Sequence, residues 1–364
     1  MKLFKIIEIL ETWAPLNYQE EYDNSGLLIG DVNSDIKKIL ISLDCTNEVI
    51  NEAINLNCNL IISHHPLIFK GIKSITGKNY VEKNIIKAIK SDISIYSIHT
   101  NLDNILDGVN NEIAEKLNIT NRKILNLSSD NSLFKLITYV PNDFHEIILN
   151  SLFKSGAGKI GKYSECSFTS QGEGSFRGSI LSNPRYGKKN IRSNIKEKKI
   201  EVIFEKNKKS KIIDSLKLNH PYEEVAYDIF KLENKNNLIG SGLIGDIKPM
   251  KEIEFLKKIK KKFNLKFLKH TKLKNKLIKK VAVCGGSGSF LIKNSIHSNA
   301  DIFITSDIKY HDFFESNDRI ILVDIGHYES EQFTKNIIFS YLIKKISKFD
   351  IVLSKINTNP VKYF

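Results

Sequence analysis

The chain's 364 residues suit about two domains, and a composition of 41% hydrophobic and 26% charged residues excludes disordered and fibrous architectures. The net charge of +14 raises nucleic-acid binding as a function, but lysine is spread through loops such as Asn234-Lys235-Asn236-Asn237, without interleaved aromatics or a reading motif, so nucleic acid is not an expected partner. No run approaches the ~18 uninterrupted apolar residues of a membrane span, and the separated Cys45, Cys58, Cys166 and Cys284 exclude a disulfide scaffold and a cysteine zinc knuckle, so a cytoplasmic protein with structural thiols is expected.

The first segment opens with an amphipathic helix carrying Phe4, Ile7 and Leu10. Short apolar bursts bounded by polar turns then predict strands at 39–43, 60–63 and 93–98, with helices between them at 47–57 and 81–91. That alternation predicts an α/β fold with a largely parallel sheet. From about Asn126 the pattern changes to a strand at 133–140, a helix at 143–154 closed by Gly156, and strands at 163–169 and 176–181. A strand at 199–204, a helix at 208–216 and a last strand at 226–230 follow, the order of a small α+β domain with helices on one face of an antiparallel sheet. Gly156-Ala157-Gly158-Lys159-Ile160-Gly161 fits the spacing of a dinucleotide fingerprint, but it follows a helix instead of joining a strand to one, so it is read as a helix-ending turn. His220 and Tyr222-Glu223-Glu224 are expected to set domain packing or subunit contacts.

The last segment repeats the plan of the first. Ser25-Gly26-Leu27-Leu28-Ile29-Gly30-Asp31 returns as Ser241-Gly242-Leu243-Ile244-Gly245-Asp246, and Lys37-Lys38-Ile39-Leu40-Ile41-Ser42 as Lys279-Lys280-Val281-Ala282-Val283-Cys284. Asn59-Leu60-Ile61-Ile62-Ser63 is echoed by Asp301-Ile302-Phe303-Ile304-Thr305, and His99 with Asp103 by His327 with Glu331. Echoes in one order point to a duplication. The expected organisation is a pseudo-two-fold α/β domain built from residues 1–125 and 238–364, with 126–237 inserted between its halves.

The residues that could carry chemistry gather where strands end, the edge at which open α/β sheets bind ligands. His64-His65-Pro66 follows the strand 60–63, Asp103 follows the strand ending at Ile98, and His327 and Glu331 follow the strand 320–324 at helical spacing. Neutral imidazole is the commonest ligand for borderline divalent metals, and a carboxylate can bridge two of them. His64, His65, Asp103, His327 and Glu331 are therefore candidate ligands for two divalent ions, with zinc, iron, manganese, cobalt and nickel all compatible with the donors. His99, the first-copy counterpart of His327, and His311 are candidates for moving protons, while Asp307 and Lys309 are candidates for holding substrate. Gly285 and Gly286 follow a strand, where their amides could cradle a phosphate.

Tyr22-Asp23-Asn24-Ser25-Gly26-Leu27, Ser63-His64-His65-Pro66, His99-Thr100-Asn101-Leu102-Asp103 and Asp324-Ile325-Gly326-His327-Tyr328-Glu329-Ser330-Glu331 mark the two copies. With Gly156 to Gly161 and His220-Pro221-Tyr222-Glu223-Glu224 in the insert, the sequence resembles the dinuclear-metal, hexameric GTP cyclohydrolase I type 2 homologs. It is most similar to the subgroup whose middle domain is similar to the PII and CutA folds, and the resemblance covers nearly the whole chain. It implies a ferredoxin-like, PII/CutA-like insert, the same five metal ligands with Glu331 as the bridge, and a homohexameric toroid with metal sites facing its cavity. The implied activity is metal-dependent hydrolysis, in which two ions lower the pKa of a water that attacks an electrophilic carbon of a nucleotide such as GTP. Phosphoester hydrolysis suits the same residues, and a metal-binding or regulatory assembly protein is the non-enzymatic alternative.

Overall fold

Strands made of uninterrupted isoleucine, leucine and valine need cover on both faces, and the computed structural model, which describes residues 1–128 and 132–362, provides it. The chain begins with α1 (Leu3–Trp13), then β1 (Gly26–Ile29), β2 (Lys38–Ser42), α2 (Asn47–Asn55), β3 (Leu60–Ser63), α3 (Tyr80–Lys90) and β4 (Ser94–Ser97). Thr46 caps α2 by accepting from the Val49 amide, and Asn79 caps α3 by accepting from the Glu82 amide. β2, β3 and β4 are parallel neighbours, with β1 antiparallel on the outer side of β4. Alternate strand residues serve opposite faces. Ile39, Ile41, Leu60 and Ile62 pack with Leu3, Ile6 and Leu10 of α1, while Leu40, Ile61 and Ile95 pack with Val49, Ile50, Ile85 and Ala88 of α2 and α3. Each such isoleucine or leucine, fully buried, contributes about 1.5–3 kcal/mol.

The short α4 (Thr100–Asp103), α5 (Val109–Leu117) and β5 (Thr120–Leu127) lead into the insert. The insert runs β6 (Ser132–Pro141), α6 (His145–Lys154), β7 (Ser167–Arg177), β8 (Arg192–Glu205), α7 (Lys209–Asn219) and β9 (Tyr227–Lys235). Its sheet order β7-β8-β6-β9, antiparallel throughout, is the ferredoxin-like arrangement of a βαββαβ chain. Two expectations need correction here. The strands expected at 163–169 and 176–181 are the single strand β7, and β8 begins at Arg192, well before the expected 199. Ser170-Gln171-Gly172-Glu173-Gly174-Ser175 has no apolar alternation because it is joined to β8 by backbone pairing and leaves its side chains partly or fully exposed.

The last segment holds β10 (Gly240–Lys251), α8 (Glu252–Lys262), β11 (Lys269–His270), β12 (Leu277–Ser287), α9 (Ile292–His297), β13 (Ile302–Ser306) and β14 (Ile321–Asp324). α10 (His327–Glu331), α11 (Thr334–Lys345) and β15 (Asp350–Leu353) follow. β12, β13 and β14 repeat the parallel core of β2, β3 and β4. Val281, Val283, Ile302, Ile304 and Val323 pack with Ile113 of α5 and Phe255 and Ile259 of α8, and Ala282, Phe303 and Leu322 serve the opposite face. The copies differ at their edges: β1 pairs with β4, but its sequence echo β10 pairs with β12. The sheets also exchange strands, since β15 extends the first sheet beside β2 and β5 extends the second beside β10. The helical spacing of His327 and Glu331 is that of the short α10, separated from α11 where the Gln332 side chain donates to the Phe263 carbonyl and Phe333 packs against the core.

Residues up to 128 together with those from 237 form one compact unit, and the residues between form a second. No helix among the described residues is long and apolar enough to cross a membrane.

Candidate metal centre

The first unit holds a cleft of about 720 Å³, lined by residues from the C-terminal ends of strands in both sheets. His64 and His65 leave β3, with their amides donating to the carbonyls of Ser42 and Leu43 beside the end of β2. Asp103 ends α4, one turn beyond β4. His327 starts α10 just after Gly326, whose φ of +88° turns the chain between β14 and that helix. Spacing of four then brings His327 Nε2 to 3.1 Å from Glu331 Oε2.

Each histidine is held by the nitrogen that faces away from the centre. His64 Nδ1–H donates to the Ile98 carbonyl at 2.8 Å, His65 Nδ1 bonds the Asp44 carboxylate at 2.7 Å, and His327 Nδ1 bonds that of Asp307 at 2.6 Å. A carboxylate or carbonyl on one nitrogen fixes the tautomer, so that the other carries the lone pair inward. The Nε2 atoms meet at Glu331, which is buried to 2% exposure. Its Oε2 lies 2.9 Å from His65 Nε2, and His65 and His327 Nε2 lie 3.3 Å apart. Its Oε1 lies 3.9 Å from His64 Nε2, which is in turn 3.6 Å from Asp103 Oδ1. The two oxygens of one carboxylate thus face two donor groups, His64 with Asp103 and His65 with His327.

These separations test whether metal ions fit. His64 Nε2 and Asp103 Oδ1 are buried with no hydrogen-bond partner, and 3.6 Å is too long for a bond between them. A buried polar atom with no partner is costly. Two donors about 2.1 Å from one cation at a tetrahedral angle lie about 3.4 Å apart, within the 2.9–3.9 Å spacings of the two groups. The histidine and carboxylate groups could therefore hold metal ions.

The electrostatics point the same way. Burial, followed by the Glu331 charge, pushes Asp103 up to about 8. Burial works against charge on His65 and His327, yet Glu331 with Asp44 or Asp307 outweighs it and lifts them to about 10 and about 11. Burial likewise opposes charge on Glu331, and the two imidazoles overcome it, holding the carboxyl well below its ordinary range. Without a metal, protons on His65 and His327 thus supply the positive charge around the buried carboxylate; a bound cation would take their place, leave each Nε2 as a lone-pair donor and favour the charged forms of both Glu331 and Asp103. Cys284, beside them, has its thiol pushed up by burial and by both carboxylates, so it stays protonated.

The other sequence candidates divide. His99 lines the cleft with its ring 5.2 Å from that of His64 and 5.3 Å from that of His65, and its Nδ1 bonds Asp23 at 2.7 Å. Asp307 lines it too, but its carboxylate is engaged in orienting His327. Lys309 and His311 are exposed and lie outside the lining; His311 instead contacts Tyr310 and Phe314. Nor are the glycine amides available to a phosphate, because Gly285 N–H donates to Asn110 Oδ1 and Gly286 N–H to Ser330 Oγ, both at 2.9 Å. Glycine is required at 286 for another reason: a Cβ there would stand 2.3 Å from Glu331 Oε1. Sequence reasoning missed Asp44 and gave no role to Asp23. Asp44 carried a usable signal, a carboxylate two residues past β2 at the same sheet edge as His64. Thr358, whose hydroxyl donates to Asp44 from 314 residues away, carried none.

The model of one family, described as Duf34/NIF3 (NGG1p interacting factor 3), matches residues 1–360. The chain belongs to the Duf34/NIF3 family. Curated relatives from Halalkalibacterium halodurans and Bacillus subtilis, both named GTP cyclohydrolase 1 type 2 homolog, are 36% and 34% identical. The alignments cover 98% of this chain and 98% of the first relative, and 99% and 98% for the second. A crystal structure of a Bacillus cereus protein related to NIF3 superposes with a TM-score of 0.87 at 34% identity, covering 100% of this chain and 99% of that one. One of a Staphylococcus aureus protein gives 0.79 at 32%, with the same coverage.

Proposed function

We propose that this Duf34/NIF3 chain is a metal-dependent hydrolase with a two-cation centre. The observation that carries the reading is Glu331, whose two oxygens face two separate donor groups, one of them containing the buried, unpartnered His64 Nε2 and Asp103 Oδ1. His64, Asp103 and Glu331 would hold one cation, and His65, His327 and Glu331 the other. When bound, such a pair supplies Lewis acidity and a hydrolytic nucleophile from water near neutral pH. The protein's own contribution is rigidity: Asp44, Asp307 and the Ile98 carbonyl hold three imidazoles in one tautomer each, so no reorientation is needed on binding. His99, fixed through Nδ1 by Asp23, keeps Nε2 as the atom that exchanges a proton with substrate in the cleft. The relatives' name contains a cyclohydrolase activity, hydrolysis within a ring, and that reaction class fits this machinery. The cleft opening onto the donors favours turnover over a purely structural or storage role. The test is hydrolysis by metal-loaded protein of GTP, an aryl phosphate, an uncharged aryl ester and a cyclic amide, beside Glu331→Gln. Turnover of at least one substrate, lost in the folded variant, is expected; turnover unchanged by Glu331→Gln would contradict the proposal.

A further inference from the structure

The charge of the cleft is opposite to that of the chain. The protein carries +14 overall, yet among the described residues the cleft lining holds seven carboxylates, one lysine and no arginine. Beyond Asp103 and Glu331, the acids are Glu20, Asp44, Asp307, Asp324 and Glu329. The lysine is engaged: Lys269 lies opposite Asp324 across β11 and β14, with Nζ 2.9 Å from its carboxylate. The amides of Gly285 and Gly286, which also line the cleft, are bonded internally to Asn110 and Ser330. Two divalent cations, held by imidazoles that are neutral once they ligate, together with Lys269 would offset five of the seven negative charges and leave the lining still net negative. A polyphosphate would therefore meet like charge and find no arginine fork in the lining, with the Gly285 and Gly286 amides already taken. Aromatic rings form another part of the wall. Tyr22 and Phe69 lie 6.2 Å apart beside His99, and Phe267, Phe290 and Tyr328 also line the cleft.

We infer that the substrate of this site is an uncharged or cationic molecule bearing a flat ring, not a nucleoside triphosphate or other polyanion. The inference rests on the two-cation reading and names its substrate class. Ring hydrolysis of such a molecule balances without any further reagent: the oxygen of water bonds to the ring carbonyl carbon, the C–N bond breaks, one proton of water goes to nitrogen and the other is released from the new carboxylic acid.

Charge selection at the site can be read without knowing the substrate, by stripping the metal with two flat aromatic chelators, uncharged phenanthroline and the dipicolinate dianion. Elemental analysis first establishes the loaded protein; absence of bound metal would defeat the two-cation reading itself, and this inference with it. With metal present, the dianion is expected to strip it several-fold faster as salt rises from about 10 mM to about 300 mM, because screening relieves like-charge repulsion, while the rate with phenanthroline stays flat. In Glu20→Gln/Glu329→Gln, which keeps the shape of the rim but removes two charges, the dianion should work about tenfold faster at low salt and phenanthroline at its former rate. A dianion rate that falls with added salt, or that ignores the double substitution, would overturn the inference while leaving the metal centre intact.

Discussion

Replacing Gly286 by alanine tests the position of Glu331 from outside the ligand set. The residue sits at φ +63°, where an L side chain costs about 1–2 kcal/mol. The added Cβ would stand 2.3 Å from Glu331 Oε1 and 3.5 Å from His327 Cε1. Restoring ordinary contact requires the carboxylate to retreat by about 1 Å, a large fraction of a metal–oxygen bond of about 2 Å. Glu331 has nowhere neutral to go, since Oε2 is already 2.9 Å from His65 and 3.1 Å from His327. The expected result is a folded protein, about 1–2 kcal/mol less stable by urea titration, whose metal affinity falls at least tenfold to a hundredfold, the range seen when a ligand's support is lost. Gly285→Ala is the control. Its Cβ would press on Val109 and Ile113 at 3.0 and 3.3 Å but clear Glu331 Cγ at 3.6 Å, so it should cost stability and largely spare metal binding. Wild-type metal affinity in Gly286→Ala, measured by chelator competition, would refute the placement of Glu331 between the two donor groups.

Asp44→Asn and Asp307→Asn each remove the charge that orients one imidazole, and each should weaken metal binding about tenfold to a hundredfold with little change in urea midpoint; unchanged affinity in both would mean that the imidazoles are held by packing alone. Thr358→Val removes a hydroxyl donated to Asp44 from the far end of the chain. It should weaken metal binding by less than Asp44→Asn does, and the double variant should be no worse than Asp44→Asn alone; additive losses by chelator competition would show that Thr358 does not act through Asp44. Glu82 makes an acid-side prediction. Its carboxylate accepts from the Thr76 and Lys78 amides and the Thr76 hydroxyl, which lower it from 4.5 to about 2. A depressed carboxyl stabilises the fold fully above its unfolded value and loses that contribution as pH falls toward the folded one. The urea-midpoint gap between wild type and Glu82→Gln should thus be widest near about pH 6 and shrink below about pH 4.5; a gap independent of pH would mean that charge is not what the loop at 76–78 holds.

The parallel cores were legible because strands buried on both faces must be apolar throughout, as Leu60-Ile61-Ile62 and Ile302-Phe303-Ile304 are. The candidate donors gathered in the cleft were legible for a related reason: a polar pair such as His64-His65 directly after such a strand sits at the ligand-binding edge whatever the rest of the fold does. Edge strands were harder. β7 is paired by its backbone and leaves side chains in solvent, so its glycines and serines have no periodicity to read. That β15 joins the first sheet and β5 the second depends on packing between distant segments, which no local pattern encodes. The glycines after β12 show the opposite failure. Their sequence suits an anion cradle, but Asn110 and Ser330, distant in the chain, take the amides, and Glu331 occupies the space that the absent side chain leaves. Lys309 and His311 follow the turn at Asp307, φ +56°, and only Asp307 of the three lines the cleft, a placement that their spacing alone does not encode.

The most direct test of the account is metal content. Protein purified without a histidine tag, dialysed and measured by elemental analysis, should carry or take up about two divalent transition-metal ions per chain. His64→Ala should retain one at most, while Glu331→Ala, which removes a donor from both groups, should retain none. Wild-type protein that stays metal-free after exposure to zinc, manganese and iron, or Glu331→Ala that binds as much metal as wild type, would contradict the two-cation centre.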